Sequence, residues 1–467
     1  MPVTRAFTLL ICVAAGGAFG LMSRAGGTLD APALAAAQTA GAPAAIALMN
    51  VNVIPMSREH VLADQVVLIQ DGTITGLGPA ASLRIPHSVR RIDGEGKFVI
   101  PALAEMHAHI PGGDAPEAEI ERVLFLYVAN GIGTIRGMLG HPRHLALRDR
   151  ARSGAIVSPW IYTSGPSLNA NTVPTPDAAR QAAREQKAAG YDFLKIHPGI
   201  LRGPFDALAA AAKEAGIRMA GHVPADVGLQ RALEVPYATI DHLDGYVEAL
   251  AGPGGPPSQM FGLNLVDRID ESRIPALVEA TRKAGVAQVP TQALFEHWVG
   301  LDDPDAMRQW PEMRYVDANT LANWVANKRK LADAATPQNR RRFLEIRRHL
   351  LKALHDGRVR LLLGSDAPQV WNVPGFSLHR ELEYLVAAGL TPYQALETGT
   401  RQIAEFYGTQ AERGTIEVGK RADLVVLEGN PLEDITQTKR ISLVSIGKHV
   451  LTRDELDARL KELARPE

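Results

Sequence analysis

The chain has 467 residues, of which 46% are hydrophobic and 22% charged, and its formal net charge at pH 7 is -1. This composition is typical of a soluble globular protein, and the length suits one large α/β domain with a smaller one. Long blocks of like charge are missing from the sequence, so we expect no nucleic-acid partner. The only cysteine, Cys12, excludes an internal disulfide, a thiolate zinc site and a cysteine nucleophile.

Residues 1–37 have the pattern of a secretory signal peptide. Arg5 precedes an apolar stretch from Ala6 to Met22, and small residues follow, with A-x-A cleavage expected after Ala35 or Ala37. We therefore predict a periplasmic or secreted protein with no membrane partner after cleavage. An uncleaved membrane anchor and a wrongly assigned start are the alternatives. No other stretch approaches the roughly 18 unbroken apolar residues that a membrane span needs.

Strand-like patterns occur near both ends of the remaining chain. In residues 45–97, Asp71 and Gly72 separate two apolar runs, which is a strong hairpin signal. A similar pattern returns after Thr415. We predict that residues 45–97 and 406–467 form one small composite β-sandwich domain, with a C-terminal helix in the second part. The alternative is two independent β appendages.

Between these segments, residues 98–405 alternate strand-like and helical runs. Helical stretches stop at glycines that we expect to be left-handed caps, namely Gly190, Gly216, Gly285 and Gly357. Eight strands separated by helices predict a (β/α)8 TIM barrel. An open doubly wound sheet is the alternative, but no G-x-G-x-x-G follows any strand. The eight predicted strands are Phe98 to Met106, Gly131 to Arg136, Ile161 to Ser164, Tyr191 to Ile196, Arg218 to Gly221, Ala238 to Asp241, Ala287 to Pro290 and Val359 to Gly364.

Potential metal ligands follow five of these strands, at the end of a barrel where catalytic residues lie. His107 and His109 are two residues apart on a strand, so both imidazoles can face one point. Imidazole and carboxylate suit a divalent metal, zinc first and Mn, Fe or Co as alternatives. A buried lysine that loses its proton can react with carbon dioxide to give a carbamate, which can bridge two metals. The full set is His107, His109, Lys195, His222, His242 and Asp366, and each residue alone could equally be structural.

These residues lie in motifs that resemble the amidohydrolase superfamily, in particular its imidazolonepropionase-like and prolidase-like members. The matching pieces are F-V-I-P-A-L-A-E-M-H-A-H, Y-T-S-G-P, D-F-L-K-I-H, A-G-H-V, I-D-H-L-D-G, L-G-S-D-A-P and V-G-K-R-A-D-L-V-V-L. One departure is that Ala102 and Glu105 stand where the family usually has glycine and aspartate.

The resemblance implies a site with two metals. His107, His109 and Asp366 would hold the more buried metal and His222 and His242 the more exposed one. Carboxylated Lys195 would bridge the two metals, and a hydroxide shared by them would be the nucleophile. Asp366 would act as the general base and then the general acid.

The resulting expectation is hydrolysis of an amide bond in a small substrate, such as an N-acyl amino acid, a dipeptide or a cyclic amide. The same core would also serve an esterase, a lactonase or a phosphotriester hydrolase. A lyase or decarboxylase, and a metal-binding protein without turnover, remain alternatives from other classes. Tyr246, Tyr162 and Arg136 are candidate substrate contacts, with packing an equal alternative for each. The sequence does not determine the oligomeric state and is compatible with a homo-oligomer.

Overall fold

A computed structural model describes residues 45–465, so the predicted signal segment lies outside the described residues. The strands are β1 (Ala45–Val53), β2 (Leu62–Gln70), β3 (Thr73–Pro79), β4 (Arg90–Asp93), β5 (Phe98–Pro101), β6 (Leu103–Ala108), β7 (Ile132–Gly137), β8 (Trp160–Thr163), β9 (Phe193–Ile196), β10 (Arg218–Gly221), β11 (Tyr237–Asp241), β12 (Ala287–Val289), β13 (Leu424–Leu427), β14 (Ile441–Ile446) and β15 (His449–Thr452).

Helices occupy most of the connections between the strands. The α-helices are α1 (Glu117–Ala129), α2 (Arg143–Ser153), α3 (Pro176–Ala189), α4 (Arg202–Ala215), α5 (Gly228–Leu233), α6 (Tyr246–Ala251), α7 (Ile274–Ala284), α8 (Gln292–Val299), α9 (Pro304–Met307), α10 (Ala318–Ala334), α11 (Pro337–Asp356), α12 (Phe376–Ala387), α13 (Pro392–Gly399), α14 (Arg401–Tyr407) and α15 (Arg453–Leu463). Short 3-10 helices lie at Ala80–Ser82, Met260–Arg268, Glu271–Arg273, Pro311–Tyr315 and Ile435–Lys439. Within residues 45–465, no helix is both long and apolar enough to cross a membrane.

Both ends of the described chain contribute to one sheet, which we call the terminal sheet. Its order is β15-β14-β13-β5-β1-β2-β3, and β4 pairs with β1. The predicted hairpin is confirmed, because Gln70 pairs with Thr73 across Asp71 and Gly72, both of which have positive φ. Antiparallel pairing of β13 with β5 joins the two ends. The ends therefore form one hydrogen-bonded sheet and not two separate appendages.

The strands from β6 to β12 pair in parallel, in the orders β6-β7-β8 and β9-β10-β11-β12. Parallel bridges continue this pairing from Ser164 to Phe193 and from Gln288 to Leu361. A further bridge joins Ala108 to Ala367. The predicted eighth strand therefore takes its place between β12 and β6, but as isolated bridges and not as a regular strand.

One predicted strand, residues 98–106, is divided between the two parts of the molecule. Its first half, β5, belongs to the terminal sheet, and β6 begins the parallel set. The backbone N–H of Ala102 between them donates to Asp423 O at 2.8 Å. The predicted strand therefore spans two sheets, because a continuous apolar run does not reveal a change of sheet.

Three of the four predicted glycine caps are left-handed, at Gly190, Gly216 and Gly285. Gly357 is different, with a φ of -76°, and the next residue, Arg358, has the positive φ. A Cβ atom at residue 357 would lie 2.1 Å from Val278 Cγ1. Residue 357 is therefore a glycine because a side chain would collide with α7, and not because its backbone is left-handed.

Candidate metal centre

Two histidines and an aspartate from opposite ends of the parallel set converge on one point. His107 and His109 lie at the end of β6, and Asp366 follows the eighth strand position. Asp366 Oδ1 is 2.7 Å from His109 Nε2 and 3.7 Å from His107 Nε2. One ligand atom from each residue lies within 4.8 Å of the others. His107 and Asp366 are buried, and His109 is partly exposed.

The other three predicted ligands border this cluster. The ring centroid of His242, which follows β11, is 4.6 Å from those of both His107 and His222. Lys195 Nζ, from the buried β9, lies 3.3 Å from His107 Nε2. The structure thus brings all six predicted ligands together at the carboxyl ends of the strands.

The backbone at this edge is strained at several residues other than glycine. His242, Asp366 and Thr291 have φ values of 66°, 65° and 48°. Left-handed conformations cost about 1 to 3 kcal/mol in such residues and persist where the surroundings enforce them, often at functional sites.

Three further residues orient the histidines, and sequence reasoning missed them. Asp244 Oδ2 lies 2.7 Å from His222 Nδ1, and Thr291 Oγ1 lies 2.9 Å from His242 Nδ1. Asp241 Oδ2 is 2.8 Å from His107 Nδ1, a close contact without the alignment of a hydrogen bond. With Nδ1 occupied, each ring leaves Nε2 for a metal, as in carboxylate–histidine–metal arrangements. The motif I-D-H-L-D-G contained both aspartates.

Burial and charge set protonation states that suit metal binding. Burial, together with the nearby Lys195 charge, lowers the pKa of His107 well below its ordinary value. Burial and the neighbouring His107 do the same for the pKa of His242. Burial would raise the pKa of Asp366, but His107 and His109 hold it at about 2. Burial lowers the pKa of Lys195 to about 8. Neutral imidazoles, a carboxylate and a readily deprotonated amine form a donor set that fits divalent metals.

Glu105 links the backbone of β6 to that of the residue before Asp366 through hydrogen bonds. Its Oε1 accepts hydrogen bonds from the backbone N–H groups of His107 at 2.8 Å and Ser365 at 2.9 Å. Its Oε2 accepts a third from Ser365 Oγ at 2.5 Å. Complete burial raises the pKa of Glu105 to about 8. The departure from the family's aspartate therefore has a specific structural partner, the residue just before Asp366.

The three predicted substrate contacts occupy other places. Arg136 is fully buried and donates to Met106 O, Thr239 Oγ1 and both carboxylate oxygens of Asp241. Arg136 therefore supports the aspartate that contacts His107.

The two tyrosines lie in packed surroundings. Tyr246 is also fully buried, with its hydroxyl 2.7 Å from Thr281 Oγ1. Tyr162 stacks on Tyr407, with ring centroids 3.7 Å apart. These contacts replace the predicted substrate roles with packing, since a polar residue near a strand end can face the core as readily as the cleft.

Phe261 lies beside His222 and His242 and was not singled out in the sequence. It belongs to the 3-10 helix Met260–Arg268, which follows α6. Its ring centroid is 5.9 Å from that of His242 and 6.4 Å from that of His222. Its φ of 55° places it in the left-handed region. An apolar wall thus stands beside two of the predicted ligands.

The amidohydrolase family profile matches residues 98–448. Adenine deaminase of Ruegeria pomeroyi is 22% identical over 413 residues, which cover 85% of this chain and 56% of that protein. Imidazolonepropionase of Micrococcus luteus is 25% identical over 250 residues, covering 41% of this chain and 61% of that protein. The chain spans less than two thirds of the length of either relative. A crystal structure of a putative prolidase from Bifidobacterium longum has 23% identity and a TM-score of 0.65, covering 90% of this chain and 99% of that one.

The chain belongs to the amidohydrolase family, as its motifs predicted. The structural likeness agrees with the α/β fold.

Proposed function

We propose that this protein is a metal-dependent hydrolase that cleaves the amide bond of a small substrate, such as an N-acyl amino acid, a dipeptide or a cyclic amide. The observation that carries the proposal is the convergence of His107, His109 and Asp366 with the neighbouring lysine and histidines. Family membership and relatives that include an imidazolonepropionase and a putative prolidase support it.

The residues divide into two candidate metal positions. His107, His109 and Asp366 would hold one ion, His222 and His242 the other, and carboxylated Lys195 would bridge them. Bound divalent ions would lower the pKa of water and polarise the scissile carbonyl. Zinc is our first expectation for both positions, because imidazole and carboxylate ligands suit it.

Asp366 is the proposed proton carrier. Its low pKa keeps the carboxylate ionised at neutral pH, and His109 holds one of its oxygens at 2.7 Å. An oxygen of Asp366 would take the proton of the attacking water and deliver it to the leaving nitrogen. Asp241 and Asp244 would keep His107 and His222 oriented while this transfer occurs.

We extend the proposal to the closure of the barrel and to the cellular location of the protein. We propose that β6 to β12 and the eighth strand position form a closed (β/α)8 barrel, in which the ligands lie at the catalytic end. We also propose that residues 1–37 direct export to the periplasm or the exterior. N-terminal sequencing of the mature protein after cell fractionation tests the location, and a mature chain starting at residue 36 or 38 is expected.

Metal content and hydrolysis measured on the same samples test the activity. The wild-type protein should hold close to two metals per chain and hydrolyse members of an N-acyl amino acid and dipeptide panel. Lys195→Ala should lose metal and activity, and Asp366→Ala should lose activity. The exposed His87→Gln is the matched control and should resemble wild type.

Two outcomes would change the proposal. Unaltered metal content and activity in Lys195→Ala would make the lysine structural and favour a one-metal mechanism. Faster hydrolysis of a matching ester than of the amide would replace the amidase with an esterase.

A further inference from the structure

A small cavity lies at the opposite ends of the strands from the metal ligands. It has a volume of about 30 Å³ and is bordered by the starts of β6 and β7 and by residues that precede β13. Its polar lining comes from Thr134, Thr400, Thr415, Arg413, Arg421 and Asp423. This volume has room for about two water molecules or one monatomic ion.

Arg413 borders this cavity, and two of its three guanidinium nitrogens are buried without a hydrogen-bond partner among residues 45–465. These are Nε and Nη1, and the side chain is only 8% exposed. Burial lowers the pKa of this guanidinium. Leaving buried donors of a charged group unpaired costs several kcal/mol, so such a group normally has a partner.

The surrounding charges do not provide that partner. The guanidiniums of Arg152, Arg413 and Arg421 lie 4.9, 4.4 and 5.2 Å from the ring centroid of Trp160. The carboxylate that lines the cavity, Asp423, accepts hydrogen bonds from Nε and Nη2 of Arg421 at 2.8 and 3.3 Å.

Asp423 Oδ1 also accepts from the backbone N–H of Gly447 at 2.8 Å. Both of its oxygens therefore have donors other than Arg413, and the charged side chains that line the cavity are two arginines and one aspartate.

We propose that a chloride-sized inorganic anion binds in this cavity against Arg413. The anion would lie at one edge of the guanidinium, accept a hydrogen bond from Nε–H or from Nη1–H, and compensate the buried charge. Because the lining comes both from the starts of β6 and β7 and from the segment that precedes β13, the bound anion would join the parallel strands to the terminal sheet. The site is thus a structural one, independent of the proposed hydrolysis.

Thermal unfolding in different sodium salts at constant ionic strength tests this site. Replacing gluconate, which is too large for the cavity, with chloride should raise the wild-type Tm by about 2 °C or more in a saturable manner. Arg413→Gln should lose this dependence. Arg308→Gln removes an exposed arginine and should keep it. Equal Tm values in chloride and gluconate for the wild type would overturn the proposal.

A second measurement does not depend on the variant folding. Crystals of the wild-type protein grown or soaked in sodium bromide should show an anomalous peak within hydrogen-bond distance of the Arg413 guanidinium. Density for water alone at that place, without anomalous signal, would show that solvent satisfies the arginine and would refute the anion site.

Discussion

Glu105 sets the spacing between the histidine pair of β6 and Asp366, because its carboxylate joins the backbones of His107 and Ser365. A Cβ atom at Gly364 would lie 2.6 Å from Val289 Cγ1 and 3.1 Å from Glu105 Oε1, so the glycine leaves room for both side chains. We expect Glu105→Asp, which is one methylene shorter, to lower the free energy of unfolding and the zinc affinity. Glu105→Ala should lower the free energy of unfolding by about 2 to 5 kcal/mol, because it leaves buried N–H groups unpaired.

Glu105→Gln separates geometry from charge in this prediction. The amide keeps an oxygen for the backbone donors and resembles the protonated acid favoured by a pKa of about 8. It should remain close to wild type in urea unfolding and in zinc competition with a chelator. Glu345→Gln, exposed on α11, is the control. A Glu105→Asp protein with wild-type zinc affinity would show that the carboxylate does not set the ligand spacing.

Phe261 should select the substrate if the proposed hydrolysis is correct. Its ring lies beside His222 and His242 and packs edge-on against Phe295, with centroids 5.0 Å apart. We expect Phe261→Ala to raise KM about tenfold for substrates with an apolar group next to the scissile bond, since about 1.4 kcal/mol of apolar contact is lost. Metal content should not change. Equal effects on polar and apolar substrates would argue for a packing role.

At the scale of elements, α8 begins against a carboxylate supplied by α12. Glu381 accepts hydrogen bonds from the N–H groups of Gln292 at 2.9 Å and Ala293 at 2.5 Å. Burial nevertheless raises the pKa of Glu381 to about 7 from an ordinary value of 4.5. Between these two pH values the folded protein keeps a proton that the unfolded chain has released. The free energy of unfolding should therefore fall by up to about 3 kcal/mol as the pH rises through this window.

Urea unfolding of the metal-free protein at several pH values measures this slope. Glu381→Gln has no proton to release. The difference between wild type and variant in the free energy of unfolding should therefore change between pH 4.5 and about 7 and be constant below pH 4.5. Glu345→Gln should run parallel to wild type. A pH-independent difference for Glu381→Gln would mean that the carboxyl group titrates normally in the folded protein.

The elements also show what sequence patterns could and could not reveal. Apolar runs bounded by turn residues identified the regular strands of the parallel set, and ligand types at their ends identified the cluster around His107. For Arg136 and Tyr246 the sequence left packing and substrate contact equally open. Arg136 lies in β7, a strand buried on both faces, which has no polar–apolar alternation to show the direction of its side chains. Gly357 was misread for a related reason, since a helix-terminal glycine can serve close packing as well as a left-handed turn.

At the scale of the whole molecule, one apolar run connects the terminal sheet to the metal ligands. β5 pairs with β13, and β6, which begins two residues later, ends in the histidine pair. No local pattern marks the transition near Ala102, because it depends on the partner that β13 provides from more than three hundred residues away in sequence. That both ends of the chain contribute to one β domain could be predicted. The change from antiparallel pairing with β13 in β5 to parallel pairing with β7 in β6 could not.

Combining metal binding with a variant in the terminal sheet tests whether this connection also transmits energy, and we expect that it does not. Metal bound only to the folded state raises Tm by mass action, and the six candidate ligands come from separate parts of the chain. Val425 in β13 is buried against Gly131, where a Cβ atom would lie 2.7 Å from its Cγ2. Val425→Ala should lower the free energy of unfolding by about 2 kcal/mol through the cavity it leaves.

Because Val425 is remote from the ligands, the increase in Tm on adding zinc to chelator-treated protein should be the same in Val425→Ala as in wild type. In Asp366→Ala, the zinc-induced increase should be strongly reduced although the metal-free protein remains folded. The deciding result is therefore the difference between zinc-loaded and metal-free Tm values. A reduced zinc effect in Val425→Ala would mean that the terminal sheet, acting through the backbone of β5 and β6, helps to set the position of the histidine pair.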